Sequence, residues 1–302
     1  MGKFNRKSTA EEVSAGIDLT GRHAIVTGAN TGIGRETARV LSLRGASVTM
    51  ACRDLEKAEA ARDEILAADS RITKDQLEVM RLDLGQLSQV RDFAKAFLET
   101  SRPIHLLINN AGVMLPDRRE TADGFEAHFG VNHLGHFLLT HLLLERIRAS
   151  APARILNVSS DALHFSSLTE SLEDLNWTKR KFSGWRSYGD SKLMNVLFTN
   201  ELTRRLDNDG VVSNALHPGI VKTELGRDQP WWMRAVGLLM LPISKSPEQG
   251  AATSVYLATN DELGREGAGY FADCAPGRIH PLSDNAQLAN SLWKLSEELV
   301  GL

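Results

Sequence analysis

Cysteine is scarce: the 302 residues include two, Cys52 and Cys274. That excludes the disulfide framework of a small secreted domain, and the two are not spaced as metal ligands. A reducing compartment, the cytoplasm, is expected. Long apolar runs are lacking as well. The longest toward the C-terminal half, 235–243, is far short of the ~20 residues that span a bilayer. No membrane span is predicted, and the opening MGKFNRKSTAEEVS has no apolar core to act as a secretory signal. Arg6 stands where a myristoylation signal carries Ser or Thr. Nor is either charge in large excess: 35 Lys and Arg face 38 Asp and Glu. That balance argues against nucleic acid as a partner and for a small ligand. No Pro-, Gly- or Ser-rich linker, internal repeat or low-complexity tract divides the chain, so one domain is expected.

What is present is alternation. Short runs rich in apolar and β-branched residues lie at 23–28, 47–52, 78–84, 105–112, 153–160, 211–219 and 269–274. Most are continuously apolar, the pattern of strands covered on both faces. Helix-length segments at 34–44, 55–68, 87–100 and 123–148 separate the earlier ones. This alternation predicts an α/β fold: a single doubly wound Rossmann-type domain with a seven-stranded parallel sheet flanked by helices. Residues 1–19 read as a polar arm before that domain, which runs over 20–302 and includes a candidate substrate loop at about 220–246. In the loop, Trp231-Trp232 fits an aromatic lid over an apolar pocket or a patch that touches a membrane.

The first strand leads through Gly28-Ala29-Asn30-Thr31-Gly32-Ile33-Gly34 into a helix. Glycines at 28, 32 and 34 lack the β-carbons that would hold a backbone away from a pyrophosphate. The helix start offers free N–H groups and a partial positive charge. With a strand before and a helix after, the turn points to a dinucleotide rather than an ordinary glycine-rich turn. The second strand ends in Cys52-Arg53, where an NAD site would carry an acidic residue for the ribose 2′-hydroxyl. A guanidinium there suits the 2′-phosphate of NADP, with Arg35 as a second cation. The competing reading is a solvated Arg53 paired with Asp54 or Glu56.

Tyrosine is rare, at positions 188, 256 and 270, and only Tyr188 has a lysine, Lys192, four residues on. On a helix over 185–205 that spacing puts phenol and ammonium on one face. A free phenol has a pKa of about 10, and a neighbouring cation brings it toward use as an acid or base near neutrality. The strand at 153–160 ends in Ser159-Ser160. Hydroxyls at the C-terminal edge of a parallel sheet would face the ligand crevice, unless they only cap a turn. His133, His136 and His141 share a predicted helix, but no cysteine or carboxylate completes a metal site, so packing and surface roles are expected.

TGANTGIG (27–34), NNAG (109–112), Asn132, VSS (158–160), YGDSK (188–192) and HPG (217–219) resemble the successive motifs of short-chain dehydrogenases/reductases. They fall in the family's order and spacing over about residues 20–275. Within the family, TGANTGIGRETA, INNAGVM and NALHPGIVKTEL are similar to the retinol dehydrogenase group and to the enzymatic domain of the WW-domain oxidoreductase. The resemblance implies Tyr188 as acid/base, with Lys192 lowering its pKa and holding the nicotinamide ribose. It also implies that Ser160 orients the substrate oxygen and Asn132 binds a water of the proton relay. Cofactor contacts are implied for Asp83 and Leu84, for Asn110, Ala111 and Gly112, and for Pro218, Gly219, Val221 and Thr223. A homodimer through the helices after the fourth and fifth strands is a further implication. The polar opening departs from the apolar anchor usual in animal retinol dehydrogenases, so membrane residence and retinoid specificity are not carried over. The expected activity is NADP(H)-dependent interconversion of an alcohol and a carbonyl on an apolar, retinoid-, steroid- or lipid-aldehyde-like substrate. The alternatives are a non-catalytic NADP(H)-binding module that senses redox state, and a reductase of carbon–carbon double bonds.

Overall fold

Strand β1 (His23–Thr27) is buried along its whole length, as a strand must be when helices cover both faces of its sheet. In the computed structural model, which describes residues 4–206, 209–221, 244–260 and 267–302, β1 lies inside a sheet of eight strands. The others are β2 (Ser47–Cys52), β3 (Leu77–Arg81), β4 (Leu106–Asn109), β5 (Ala153–Val158), β6 (Val211–His217), β7 (Tyr270–Ala272) and β8 (Ala275–Pro276). Their order is 3-2-1-4-5-6-7-8. Every pair through β7 is parallel. The expectation of seven parallel strands is corrected at this edge, because β8 turns back antiparallel on β7. Asp273 and Cys274 form the turn at φ of 52° and 60°, the left-handed conformation that a two-residue hairpin needs.

Helices α1 (Ala10–Val13), α2 (Gly32–Leu43), α3 (Leu55–Ala68), α4 (Leu87–Glu99), α5 (Gly135–Ala149), α6 (Gly184–Leu206), α7 (Pro247–Gly250), α8 (Ala252–Thr259) and α9 (Ala286–Val300) flank the sheet. Successive strand side chains point to opposite faces, which divides the core. Ala24 and Val26 of β1 pack with Leu41 of α2, Ile65 of α3 and Ala258 of α8. Ile25 packs instead with Phe97 of α4, Leu139 of α5 and Leu197 of α6.

The outer side of α5 and α6 is covered. Trp293 of α9 stacks on Phe198 at 5.8 Å and meets Phe137 edge-on at 5.0 Å, with Arg205 4.4 Å above its ring. Ser296 Oγ lies 2.9 Å from His133 Nε2.

Residues 4–19, the polar arm, are docked on the domain. Thr9 and Glu12 cap α1 reciprocally, Ala10 and Val13 are buried, and Phe4 meets Tyr256 edge-on at 5.6 Å. Arg39 of α2 donates to Glu11 at 2.6 Å. The long connection from β5 to α6 is tied down from within α6. Buried Asp190 accepts from Ser166 Oγ (2.9 Å), Ser167 N (2.6 Å) and Arg180 Nη2 (3.2 Å). A buried carboxylate must be satisfied in this way, so the segment is held against the first turns of α6.

Candidate active site

The parallel strands all end on one edge, and neighbouring crossovers diverge between β1 and β4, which opens a crevice there. The sequence motifs follow the strand ends. Gly28 and Gly32 take left-handed φ of 67° and 53°, which glycine adopts without strain. A Cβ on Gly28 would stand 3.0 Å from Ala111. Gly34 lies so close to the Gly28 carbonyl and the Asn110 side chain that any side chain would clash. Thr31, the N-cap of α2, makes no side-chain cap bond, so the first-turn N–H groups there are open to an anion. Asn30, Thr31 and Ile33 belong to the same turn. Gly250, lacking a side chain, lets two chain segments meet: a Cβ there would stand 2.7 Å from Val221 and 3.2 Å from Ile33.

Thr27 joins this turn to the next. Its Oγ1 accepts from the amides of Asn110 (2.8 Å) and Ala111 (2.9 Å), and its carbonyl accepts from Asn110 Nδ2 at 2.8 Å. The same hydroxyl lies 2.9 Å from His136 Nε2, and His136 Nδ1 lies 3.2 Å from the Asn132 carbonyl. A tautomer with the proton on Nδ1 satisfies both contacts. Burial pushes the His136 pKa down to about 4, so the ring is neutral. The residues present therefore fit a dinucleotide: a cradle that Cβ atoms would fill, beside an uncapped helix start.

Arg53 follows β2 and is exposed. Asp54, one of the carboxylates that could have occupied it, caps α3 and pairs with Lys57 at 2.8 Å. Arg35 pairs with Glu64 instead of standing free. Asp83 and Leu84 follow β3, where Asp83 Oδ1 accepts from the Gly85 amide at 2.9 Å. Pro218 and Gly219 follow β6, Gly219 at φ 94°, with the Lys245 side chain against it. Thr223 and Trp231-Trp232 lie outside the described residues, as does most of the 220–246 loop.

Tyr188 lies in the second turn of α6 and is 6% exposed. Burial pushes its phenol up to about 12, partly offset by a hydrogen bond with Ser160. Lys192, one turn on, brings its Nζ to 5.4 Å from the ring centroid and donates to the Val158 carbonyl at 3.0 Å. Burial pushes this ammonium down to about 8. The two serines divide: Ser159 is buried and donates to the Lys192 carbonyl at 2.7 Å, while Ser160 is half-buried beside the phenol. Gly112 lies over the lysine, for a Cβ there would stand 3.6 Å from Lys192 Nζ and 3.3 Å from Asn132 Oδ1.

Asn132 lies in a π-helical turn (His128–Leu134) that precedes α5, a local widening that recurs at functional sites. Its Oδ1 accepts from the Val113 amide at 2.8 Å, and its Nδ2 donates to the Val113 carbonyl at 3.1 Å and Ser191 Oγ at 3.0 Å. Asn132 thus ties the turn after β4 to α6. Among the described residues, no three His, Cys, Asp or Glu side chains gather to hold a metal ion.

A second polar cluster borders Ser160, and of its members only His217 belongs to a sequence motif. Tyr270 Oη donates to Asp161 at 3.1 Å, and His217 Nε2 lies 3.4 Å from the other oxygen of Asp161. Burial and the Asp161 charge push the Tyr270 phenol well above its usual range, which keeps it protonated as the donor to Asp161. The one signal in the sequence is His217, which heads the HPG segment.

The short-chain dehydrogenase family model matches residues 22–171. Human retinol dehydrogenase 12 is 46% identical over 286 residues, covering 95% of this chain and 88% of that protein. The chain belongs to the short-chain dehydrogenase family. It is an oxidoreductase by that membership. Human retinol dehydrogenase 13 is 44% identical over 94% of this chain and 86% of its own length. The WW domain-containing oxidoreductase of Gallus gallus is 41% identical over 99% of this chain and 72% of its own. Among solved structures, an uncharacterised protein from Mycobacterium paratuberculosis superposes with a TM-score of 0.76 at 36% identity, covering 96% of this chain and 97% of that one. Among the described residues of this family member, no helix is long and apolar enough to cross a membrane.

Proposed function

We propose that the chain is an NADP(H)-dependent oxidoreductase that interconverts an alcohol and a carbonyl on an apolar, retinoid-, steroid- or lipid-aldehyde-like substrate. The observation that carries this reading is Tyr188, a buried phenol with Ser160 and the Lys192 ammonium beside it. The nicotinamide cofactor, when bound, supplies or accepts the hydride at the carbonyl carbon. The protein's own part is proton transfer and geometry. Ser160 donates a hydrogen bond to the substrate oxygen. Tyr188 gives that oxygen its proton in reduction and removes it in oxidation. Lys192 stabilises the phenolate electrostatically, and Asn132 keeps the turn after β4 in register with α6. The residues that would hold the cofactor are Gly28, Asn30, Thr31, Gly32, Ile33 and Gly34 at the pyrophosphate, with Asp83, Leu84, Asn110, Ala111 and Gly112 toward the adenosine. Lys192, Pro218, Gly219, Val221 and Thr223 would hold the nicotinamide side.

Two observations support the apolar substrate. Phe165 and Trp185, close in sequence to Ser160 and Tyr188, pack edge-on at 6.3 Å while remaining 63% and 49% exposed. Exposed aromatics beside a catalytic crevice suit an apolar ligand. The retinol dehydrogenases among the relatives act, by their names, on such an alcohol. A substrate loop over about 220–246 within a domain of 20–302 belongs to the same proposal. So does a reducing, cytoplasmic setting, since Cys52 and Cys274 are both free thiols.

NADP preference is assigned to Arg53. A charge-assisted hydrogen bond contributes roughly 1.5–3 kcal/mol, so Arg53→Glu should raise KM for NADPH by about 10- to 150-fold. KM for NADH should change far less. Steady-state kinetics with both cofactors checks this, and equal effects on the two would remove Arg53 from the 2′-phosphate site.

A further inference from the structure

We propose that Glu126 and His128 form a buried pair that positions the Tyr188 phenol, a role that rests on the function proposed above. Neither residue touches solvent: His128 is 0% exposed and Glu126 1%. Buried ionisable groups are costly unless they are paired, and here the partners come from three segments that converge on the start of α6. The Leu115 amide donates to His128 Nε2 at 2.8 Å. That nitrogen must therefore keep its lone pair, and the ring proton belongs on Nδ1. Nδ1 lies 3.0 Å from Ser187 Oγ and 2.9 Å from Glu126 Oε1. The Ser187 contact is the better aligned, which leaves Oε1 with an electrostatic contact and no aligned donor. Glu126 Oε2 accepts from the Phe129 amide at 3.0 Å. Burial alone would raise the Glu126 pKa, but the His128 ring and the amides of Phe129 and His128 outweigh it and hold the carboxyl below its usual range. The carboxylate thus lies 2.9 Å from the Nδ1 edge of the imidazole and favours the tautomer with its proton there, while Ser187 takes the directed hydrogen bond.

The imidazole in turn fixes the phenol. Its centroid lies 5.9 Å from that of Tyr188 with the planes at 73°, and it stacks on Phe182 at 6.3 Å and 3°. It also bonds Ser187, the residue immediately before Tyr188. One ring therefore holds both the backbone neighbour and the aromatic plane of Tyr188, while its Nε2 anchors the segment after β4. The pair acts through Tyr188 and not on the substrate, so both members are positioning residues. Proton transfer is sensitive to such placement, since reacting groups must sit in near-attack geometry.

The test compares His128→Ala and His128→Gln with wild type in aldehyde reduction by NADPH, with folding checked by thermal melting. His128→Ala should lower kcat by about 10- to 100-fold, the usual effect of misplacing a reacting group, with KM for NADPH little changed. The solvent deuterium isotope effect on kcat should rise as proton transfer from a misaligned phenol becomes limiting. Glutamine can accept from the Leu115 amide and still donate a hydrogen bond, so His128→Gln should recover most of the rate. If His128→Ala does not fold, Glu126→Gln carries the test, with the same rise in isotope effect expected. A loss of kcat in proportion to folded protein, with the isotope effect unchanged, would overturn the pair. Full activity in His128→Ala would do the same. No turnover by wild type with any aldehyde would instead remove the underlying function, and the pair with it.

Discussion

Replacing Tyr188 by phenylalanine should slow carbonyl reduction by about 10²- to 10⁴-fold, the usual contribution of a positioned acid or base. The substitution removes one oxygen and leaves the aromatic ring to pack against His128, so the fold and NADPH binding should survive. Fluorescence titration with NADPH alongside steady-state rates separates these effects. The expected pattern is lost turnover with retained binding. If the variant turned over as fast as wild type, the proton would have to come from another group. Tyr270, whose phenol donates to Asp161 beside Ser160, would be the next group to test, by Tyr270→Phe.

The second large effect belongs to Lys192 and appears in the pH dependence. Reduction needs Tyr188 protonated, and burial has pushed that phenol up to about 12, so the acid form is present throughout the neutral range. Reduction should therefore be flat with pH until Lys192 loses its proton. Burial pushes that ammonium down to about 8; above this pH the charge that stabilises the forming phenolate disappears, and the rate should fall. Oxidation has the opposite requirement, because it starts from the phenolate, and its rate should climb through neutrality. In Lys192→Met, reduction should drop by about 10- to 10³-fold, the equivalent of the one to three pKa units an adjacent charge contributes. The bend near pH 8 should vanish as well. A rate–pH profile with the bend unchanged in Lys192→Met would assign it to another group.

Sheet architecture was legible because the strands are buried on both faces and read as continuous apolar runs. Their ends were less so. The segment 78–84 reads as one strand, yet the ladder stops at Arg81, and 105–112 pairs only over Leu106–Asn109. The surplus residues, Asp83 and Leu84 in one case and Asn110, Ala111 and Gly112 in the other, lie beyond the paired ends of their strands. Apolar patterning cannot separate the last paired residue from the first that leaves the ladder. The helix expected over 123–148 begins as a π-helical turn at His128, and no local propensity marks that widening.

Spacing put Tyr188 and Lys192 on one helix face but fitted a surface pair as well; the strand ending in Ser159-Ser160 and the run of motifs around it pointed to a site. What else lies around the pair was not legible. His128 comes to Tyr188, and Asp161 to Tyr270, across separations of 60 and 109 residues; only the folded sheet edge assembles them. β8 was missed because its turn, Asp273-Cys274, carries neither glycine nor asparagine to mark the positive φ it adopts.

The most direct measurement is the initial rate of NADPH consumption by wild-type protein with retinal, beside a short-chain aldehyde, a ketone and a sugar aldehyde, repeated with NADH. The predicted outcome is turnover with NADPH that is fastest on the long apolar aldehyde, with NADH much poorer. Tight NADPH binding without turnover of any carbonyl would contradict it and leave a nucleotide-binding module in place of an enzyme.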